Sequence, residues 1–244
     1  MLWNNFETDE FIFEGHEASV VIPENKNTNP VLALKTEYQN AFPETEIEFL
    51  NRGHFVAFIE NDNRWGTDQD LDRKARFVKF VSEKYGLQEK CIPVGMSCGG
   101  LIAIKFAAKY PQLVSCLYID APVVNYMSCP CGFGIGERLD DENFTEILTA
   151  LNMKSISELI CYRETPQDKI PDLIKNKIPI VMVAGDSDTV VPYVENGILI
   201  ENAYKKASLP IDIFIKKGCN HHPHGLENPA IAVDSILNKI SEFC

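Results

Sequence analysis

One short stretch, Val94-Gly95-Met96-Ser97-Cys98-Gly99-Gly100, constrains this chain more than any other. The apolar run before it, Cys91-Ile92-Pro93-Val94, reads as a buried strand. Leu101 to Tyr110 reads as a helix that ends before Pro111. A G-x-S-x-G frame between strand and helix describes a sharp turn that forces unusual backbone angles on the serine. A side chain at Gly95 or Gly99 would collide with the crossing strand and helix. The Ser97 hydroxyl is then held out over the sheet edge. The Cys98 amide, at the helix N-terminus, faces the place where negative charge would form on a reacting carbonyl oxygen. Alone, the frame also fits a glycine-rich turn with no chemistry, so the rest of the chain must decide.

Two downstream segments bear on it. Pro179 to Ala184 is a second apolar run of strand length, and it leads into Gly185-Asp186-Ser187-Asp188-Thr189-Val190-Val191-Pro192. A carboxylate on the loop leaving a parallel strand is where the acid of a catalytic triad sits. The strand-like Ile211 to Ile215 leads into Gly218-Cys219-Asn220-His221-His222-Pro223-His224-Gly225, which holds three of the chain's five histidines. The order is Ser, Asp, His.

That order, with Asp-x-x-Val-Pro at Asp188 and Gly-x-x-His at His221, resembles the α/β-hydrolases, and among them the small serine esterase and dienelactone-hydrolase-like branch. The wording His-His-Pro-His-Gly-Leu resembles bacterial hydrolases described as acetylxylan-esterase-like or prolyl-oligopeptidase-like. The likeness runs from about Val31 to the C-terminus. It implies an α/β fold over residues 1–244 as a single domain, a mostly parallel sheet flanked by helices, with a small cap inserted at 122–177. It also implies a serine hydrolase acting on small carboxylic esters, acylated sugars included, with Ser97 as nucleophile, His221 as base and Asp188 as acid. Asp186 and Asp120 are rival acids, and His222 and His224 are rival bases that more naturally shape the loop. The usual His-Gly oxyanion loop is missing. Lys35-Thr36-Glu37-Tyr38 stands in its place, so the second oxyanion amide is expected at Glu37, with Thr36 or Tyr38 as alternatives, beside that of Cys98. The Glu37 carboxylate must then turn away and bond to backbone or to a basic side chain.

The pattern elsewhere agrees with alternating strands and helices. Glu17–Ile22, Val31–Leu34, Phe55–Ile59 and Leu117–Asp120 read as strands, and Leu71, Ala75, Val78, Val81 and Tyr85 recur at helical spacing before Gly86. Within 122–177, helices are expected near Glu142–Leu151 and Ser155–Tyr162. Tyr126, Met127, Phe133 and Phe144 are there either to line an acyl or sugar pocket or to pack the cap onto the core. Asn61, Asn63, Arg64 and Trp65 fit either a sugar-stacking loop or a solvated loop with one anchoring tryptophan.

A formal net charge of -12 disfavours nucleic acid and anionic membranes as partners and does not identify a substrate; the small-molecule ester is what the resemblance implies. No stretch is long and apolar enough to span a bilayer, and Met1–Glu7 lacks a basic region followed by an apolar core, so a cytoplasmic protein with reduced thiols is expected. The eight cysteines include Cys129-Pro130-Cys131, which lacks metal-site spacing. His221, His222 and His224 lack the carboxylate partners of a zinc motif, so neither metal nor cofactor is expected. A chain of 244 residues leaves little room for the propeller or large substrate domain of a peptidase, and this places small esters first. A small peptidase, an acyltransferase or a non-catalytic binding protein on the same fold is the alternative.

Overall fold

The computed structural model describes residues 2–138 and 140–243. In chain order the described residues form β1 (Leu2–Trp3), β2 (Phe6–Phe13), β3 (His16–Ile22), β4 (Leu32–Lys35), α1 (Glu44–Asn51), β5 (Phe55–Ile59), α2 (Asp68–Tyr85), β6 (Cys91–Met96), α3 (Cys98–Lys109) and β7 (Leu117–Asp120). There follow α4 (Asp141–Ala150), α5 (Ile156–Cys161), α6 (Pro166–Lys175), β8 (Ile180–Gly185), α7 (Gly197–Ala207), β9 (Ile211–Lys216) and α8 (Pro229–Phe243). They build one sheet in the order β1-β2-β3-β5-β4-β6-β7-β8-β9. From β5 to β9 every pairing is parallel, while β1, β2 and β3 add an antiparallel edge. A mostly parallel sheet with helices on both faces is the expected α/β-hydrolase architecture.

Side-chain alternation along each strand explains the two layers. Leu32, Leu34, Leu117, Ile119, Ile180 and Met182 point into the larger core with Leu71 and Val78 of α2, Ile102 and Phe106 of α3, Leu173 of α6 and Tyr204 of α7. Ala33, Ile92, Val94, Tyr118, Val181 and Val183 point the other way, onto Phe49 and Leu50 of α1 and Val233 and Ile236 of α8. Strands sandwiched in this way read as near-continuous apolar runs rather than alternating ones. Each fully buried aliphatic or aromatic side chain contributes about 1.5–3 kcal/mol relative to exposure. The 18-residue α2 ends at Gly86, which adopts φ 64, a left-handed cap that glycine accepts without strain.

Residues 122–177 carry α4, α5 and α6. The last of these begins with a capping box between Thr165 and Asp168 and packs against α3 and α7. Tyr126 and Phe144 are buried in the larger core, whereas Phe133 is 65 % exposed. The first two therefore anchor this segment to the body of the domain rather than line an open pocket. A second tie comes from Asn196, whose Oδ1 accepts the Val124 and Asn125 amides, both at 3.0 Å.

Candidate active site

Ser97 stands where β6 passes into α3, with φ 53 and ψ -120. A non-glycine residue there carries about 1–3 kcal/mol of backbone strain, which its surroundings must hold. They do so through the Ser97 amide, which donates to Asp120 O at 3.0 Å, and the Ser97 carbonyl, which accepts from Val123 N at 3.1 Å and Gly100 N at 3.0 Å. Gly95 is required for the crossing, because a Cβ there would lie 2.2 Å from Gly99 O.

Asp188 follows β8 and His221 follows β9, so all three side chains gather at the C-terminal edge of the parallel strands. Gly185 permits the close approach of the last two loops, since a Cβ there would sit 2.2 Å from Cys219 O. His221 Nε2 lies 3.1 Å from Ser97 Oγ, and its Nδ1 lies 2.8 Å from Asp188 Oδ2. With Asp188 ionised, Nδ1 carries the proton and donates it, which leaves the Nε2 lone pair facing the serine hydroxyl. The other Asp188 oxygen accepts the Val190 and Val191 amides at 2.9 and 2.8 Å. Burial would raise this carboxyl, but the hydrogen bond and charge of His221, followed by the Val191 and Val190 amides, outweigh it and hold Asp188 below the usual carboxylate range.

The rival residues have other partners. Asp186 Oδ1 accepts the Gly218 amide at 2.7 Å and the Ser187 hydroxyl at 3.0 Å. Asp120 is taken by His224 Nδ1 at 3.2 Å and by the Gly225 amide, so this carboxylate fixes the far side of the histidine loop. His222 is exposed and stacks on Phe42 at 5.4 Å. The ligand atoms of His221, His222 and His224 lie within 4.8 Å of one another, near enough to be a candidate metal group among the described residues. Both His221 nitrogens and one of His224 are already engaged.

Sequence reasoning passed over Asn220. Its Oδ1 accepts the His221 amide at 2.7 Å and the Thr189 amide at 2.9 Å, which locks the histidine loop to the acid loop. An asparagine immediately before the histidine, able to bond short-range backbone, was the available signal.

The loop after β4 packs on the first turn of α3. Thr36 Oγ1 donates to Gly99 O at 2.7 Å, and a Cβ on Gly99 would meet Glu37 Cβ at 3.2 Å and Glu37 N at 3.6 Å. The Glu37 carboxylate is turned onto the Asn61 side-chain amide and the Tyr38 backbone amide. Of the two expected kinds of partner, backbone or a basic side chain, the Tyr38 backbone amide is the one that bonds it. Lys74 acts only through its charge, while its own Nζ donates to Ile59 O at 3.0 Å. Burial nevertheless pushes the Glu37 carboxyl up, against the Asn61 bond, the Lys74 charge and the Tyr38 amide. Tyr38, at φ 55, places its phenol against the Cys98 thiol and the Arg64 guanidinium. Arg64 in turn donates to Glu146 Oε1 at 3.0 Å, so α4 is tied to this rim of the site. Trp65 is 1 % exposed and enclosed by Arg64 and Tyr126, which leaves no face for a sugar ring. The tryptophan is an anchor.

Residues 56–243 match the Peptidase_S9 family, described as the prolyl oligopeptidase family. The chain belongs to the prolyl oligopeptidase family. Of the descriptions suggested by the His-His-Pro-His-Gly-Leu wording, the match supports the prolyl-oligopeptidase one and gives the esterase branch no support. No curated protein matches the sequence. Among solved structures, puromycin hydrolase superposes with a TM-score of 0.71 at 16% identity over 97% of this chain and 38% of its own. Acylaminoacyl peptidase from Pyrococcus horikoshii gives 0.68 at 12% identity over 98% of this chain and 41% of its own. Identities this low establish the fold. The chain spans about two fifths of the length of each of these structures. No helix among the described residues is long and apolar enough to cross a membrane.

Proposed function

We propose that this protein cleaves the acyl bond of small peptides or aminoacyl amides through an acyl-enzyme on Ser97. The observation that carries the reading is the continuous path from Asp188 through His221 to Ser97 Oγ, two contacts of 2.8 and 3.1 Å on loops stitched together by Asn220. The family match and the peptidase named among the structural neighbours are what favour an amide over an ester in this reading.

In this mechanism Ser97 Oγ attacks the acyl carbon as its proton passes to His221 Nε2, and Asp188 stabilises the imidazolium that results. His221 then returns the proton to the departing nitrogen, the amine leaves, and water activated by the same imidazole releases the acid. An amine needs that proton more than an alcohol does, so a base poised between Ser97 and Asp188 serves amides and esters alike. The first-turn amides of a helix have no intrahelical acceptor. The Cys98 amide is the one that follows the nucleophile, and we assign it to the oxyanion together with the Glu37 amide packed beside Gly99.

Two measurements test this reading. Purified protein will turn over aminoacyl p-nitroanilides as well as p-nitrophenyl esters. Hydrolysis of the esters with no anilide cleavage across a panel of aminoacyl groups would identify an ester hydrolase instead. Because Glu37 acts through its backbone, Glu37→Gln will keep kcat/KM within about threefold of wild type. A loss on the order of a hundredfold, the scale of a missing oxyanion donor, would put the side chain itself in the chemistry.

A further inference from the structure

Lys105 lies on α3 eight residues beyond Ser97, about 12 Å along the helix axis. Its side chain is 5 % exposed, and among the described residues its ammonium has no carboxylate or carbonyl partner. Lys74, also buried, has the Ile59 carbonyl. What Lys105 does face is a cleft of about 390 Å³ between α2, α3, α4 and α6. Tyr162 forms one wall, with its ring centroid 5.9 Å from Lys105 Nζ, and Leu71, Ala108 and Leu151 supply apolar surface. The other cations at the rim are engaged: Lys109 pairs with Asp68 at 2.7 Å and Asp72 at 2.5 Å, and Lys169 pairs with Glu164. Asp172 completes the charged rim.

We propose that this cleft is a second ligand site, for a small carboxylate with an aromatic or branched aliphatic body, its carboxylate on Lys105 and its body against Tyr162, Leu71 and Leu151. The Lys105 stem is buried while its ammonium opens onto the cleft without a hydrogen-bonded anion, and a carboxylate at charge-assisted hydrogen-bond distance supplies one while the apolar wall takes the rest of the molecule. The volume falls within the range of small-molecule sites. The site is independent of the reaction assigned to Ser97.

The charge state of Lys105 sets the pH response. Burial holds its ammonium down to about 8. Asp68 and Glu164 pull it upward, and Lys169 and Lys109 push it further down. Tyr162, pushed up to about 12 chiefly by burial, stays neutral over the same range, and Lys109 is held above its ordinary value by its two aspartates. A carboxylate binds the protonated lysine, so affinity is full below pH 8 and falls as pH rises through it, about tenfold per unit once the lysine is neutral.

Phenylacetate is the probe, with phenethylamine as the control of opposite charge, followed by saturation-transfer NMR and calorimetric titration of the full chain at pH 7 and pH 9.5. Phenylacetate is expected to bind at pH 7 and to weaken at least tenfold at pH 9.5. Lys105→Met should weaken it at least tenfold at pH 7. Lys105→Arg, which keeps its charge, should bind equally at both pH values. Phenethylamine should not bind. The proposal is overturned if phenethylamine binds as well as phenylacetate or if Lys105→Met binds within twofold of wild type. It is also overturned if wild type shows no phenylacetate binding up to about 10 mM, beyond which affinity carries little meaning.

Discussion

Ser97→Ala will fold as the wild type does and lose nearly all hydrolysis, by about a millionfold in kcat, the scale on which removal of a triad serine acts. The loss comes from one oxygen. Alanine keeps the Cβ and the backbone contacts of Ser97 to Asp120, Val123 and Gly100, so the elbow and α3 remain in place. Substrate binding should change little, and the effect should appear in kcat. Circular dichroism and thermal melting check the first half of this expectation, and steady-state kinetics on a cleaved anilide or ester check the second. An alanine variant with more than about one per cent of wild-type turnover would move the chemistry off Ser97.

Asp188→Asn should be the next largest loss, about ten-thousandfold in kcat. The asparagine fits the same space, and its oxygen can still accept the Val190 and Val191 amides that now reach Asp188 Oδ1 at 2.9 and 2.8 Å. Its nitrogen then faces His221 Nδ1. Two donors cannot face each other, so the ring takes the opposite tautomer, and Nε2 presents a proton to Ser97 instead of a lone pair. Asp186→Asn is the matched control. Its carboxylate caps the Gly218 amide and has no path to His221, so activity should stay within about threefold, as for an ordinary surface substitution. Equal losses in the two variants, read as kcat under saturating substrate, would contradict the assignment of the acid.

The parts legible in the sequence were those whose physics is local. β6, β7 and β8 are short apolar runs bounded by turn residues, and they appear within a residue or two of their expected ends. The apolar spacing from Leu71 to Tyr85 and the glycine after it mark α2 and its cap. The grouping of Ser97, Asp188 and His221 was legible because each sits at a strand end, where topology alone brings the three to one sheet edge. What escaped is non-local or weakly patterned. β2 turns Phe11 and Phe13 to the core, but Glu7 and Asp9 interrupt that face, and its pairing with β1 and β3 makes it a strand. α6 carries Pro171 in its interior, which argues against a helix locally, yet its packing on α3 and α7 overrides that signal. α8 could have been read from Ala232, Val233, Ile236, Leu237 and Ile240, whose spacing places them on the smaller core. The burial of Trp65 had no sequence signature. A tryptophan in a polar loop fits a stacking platform as well as an anchor, and only the closure by Tyr126 and Arg64 separates the two. The same holds for Asp120, whose position at a strand end suits a triad acid until His224 and Gly225 are seen to occupy it.

The central claim is that Ser97 is a nucleophile activated by His221, and covalent labelling tests it without knowledge of the substrate. The protein is treated with a fluorophosphonate, weighed intact and mapped by peptide sequencing. One adduct per chain is predicted, on Ser97, absent from Ser97→Ala and formed far more slowly in His221→Ala. An adduct on any other residue, labelling that persists in Ser97→Ala, or a wild type that hydrolyses its substrates but never takes up the probe would contradict it.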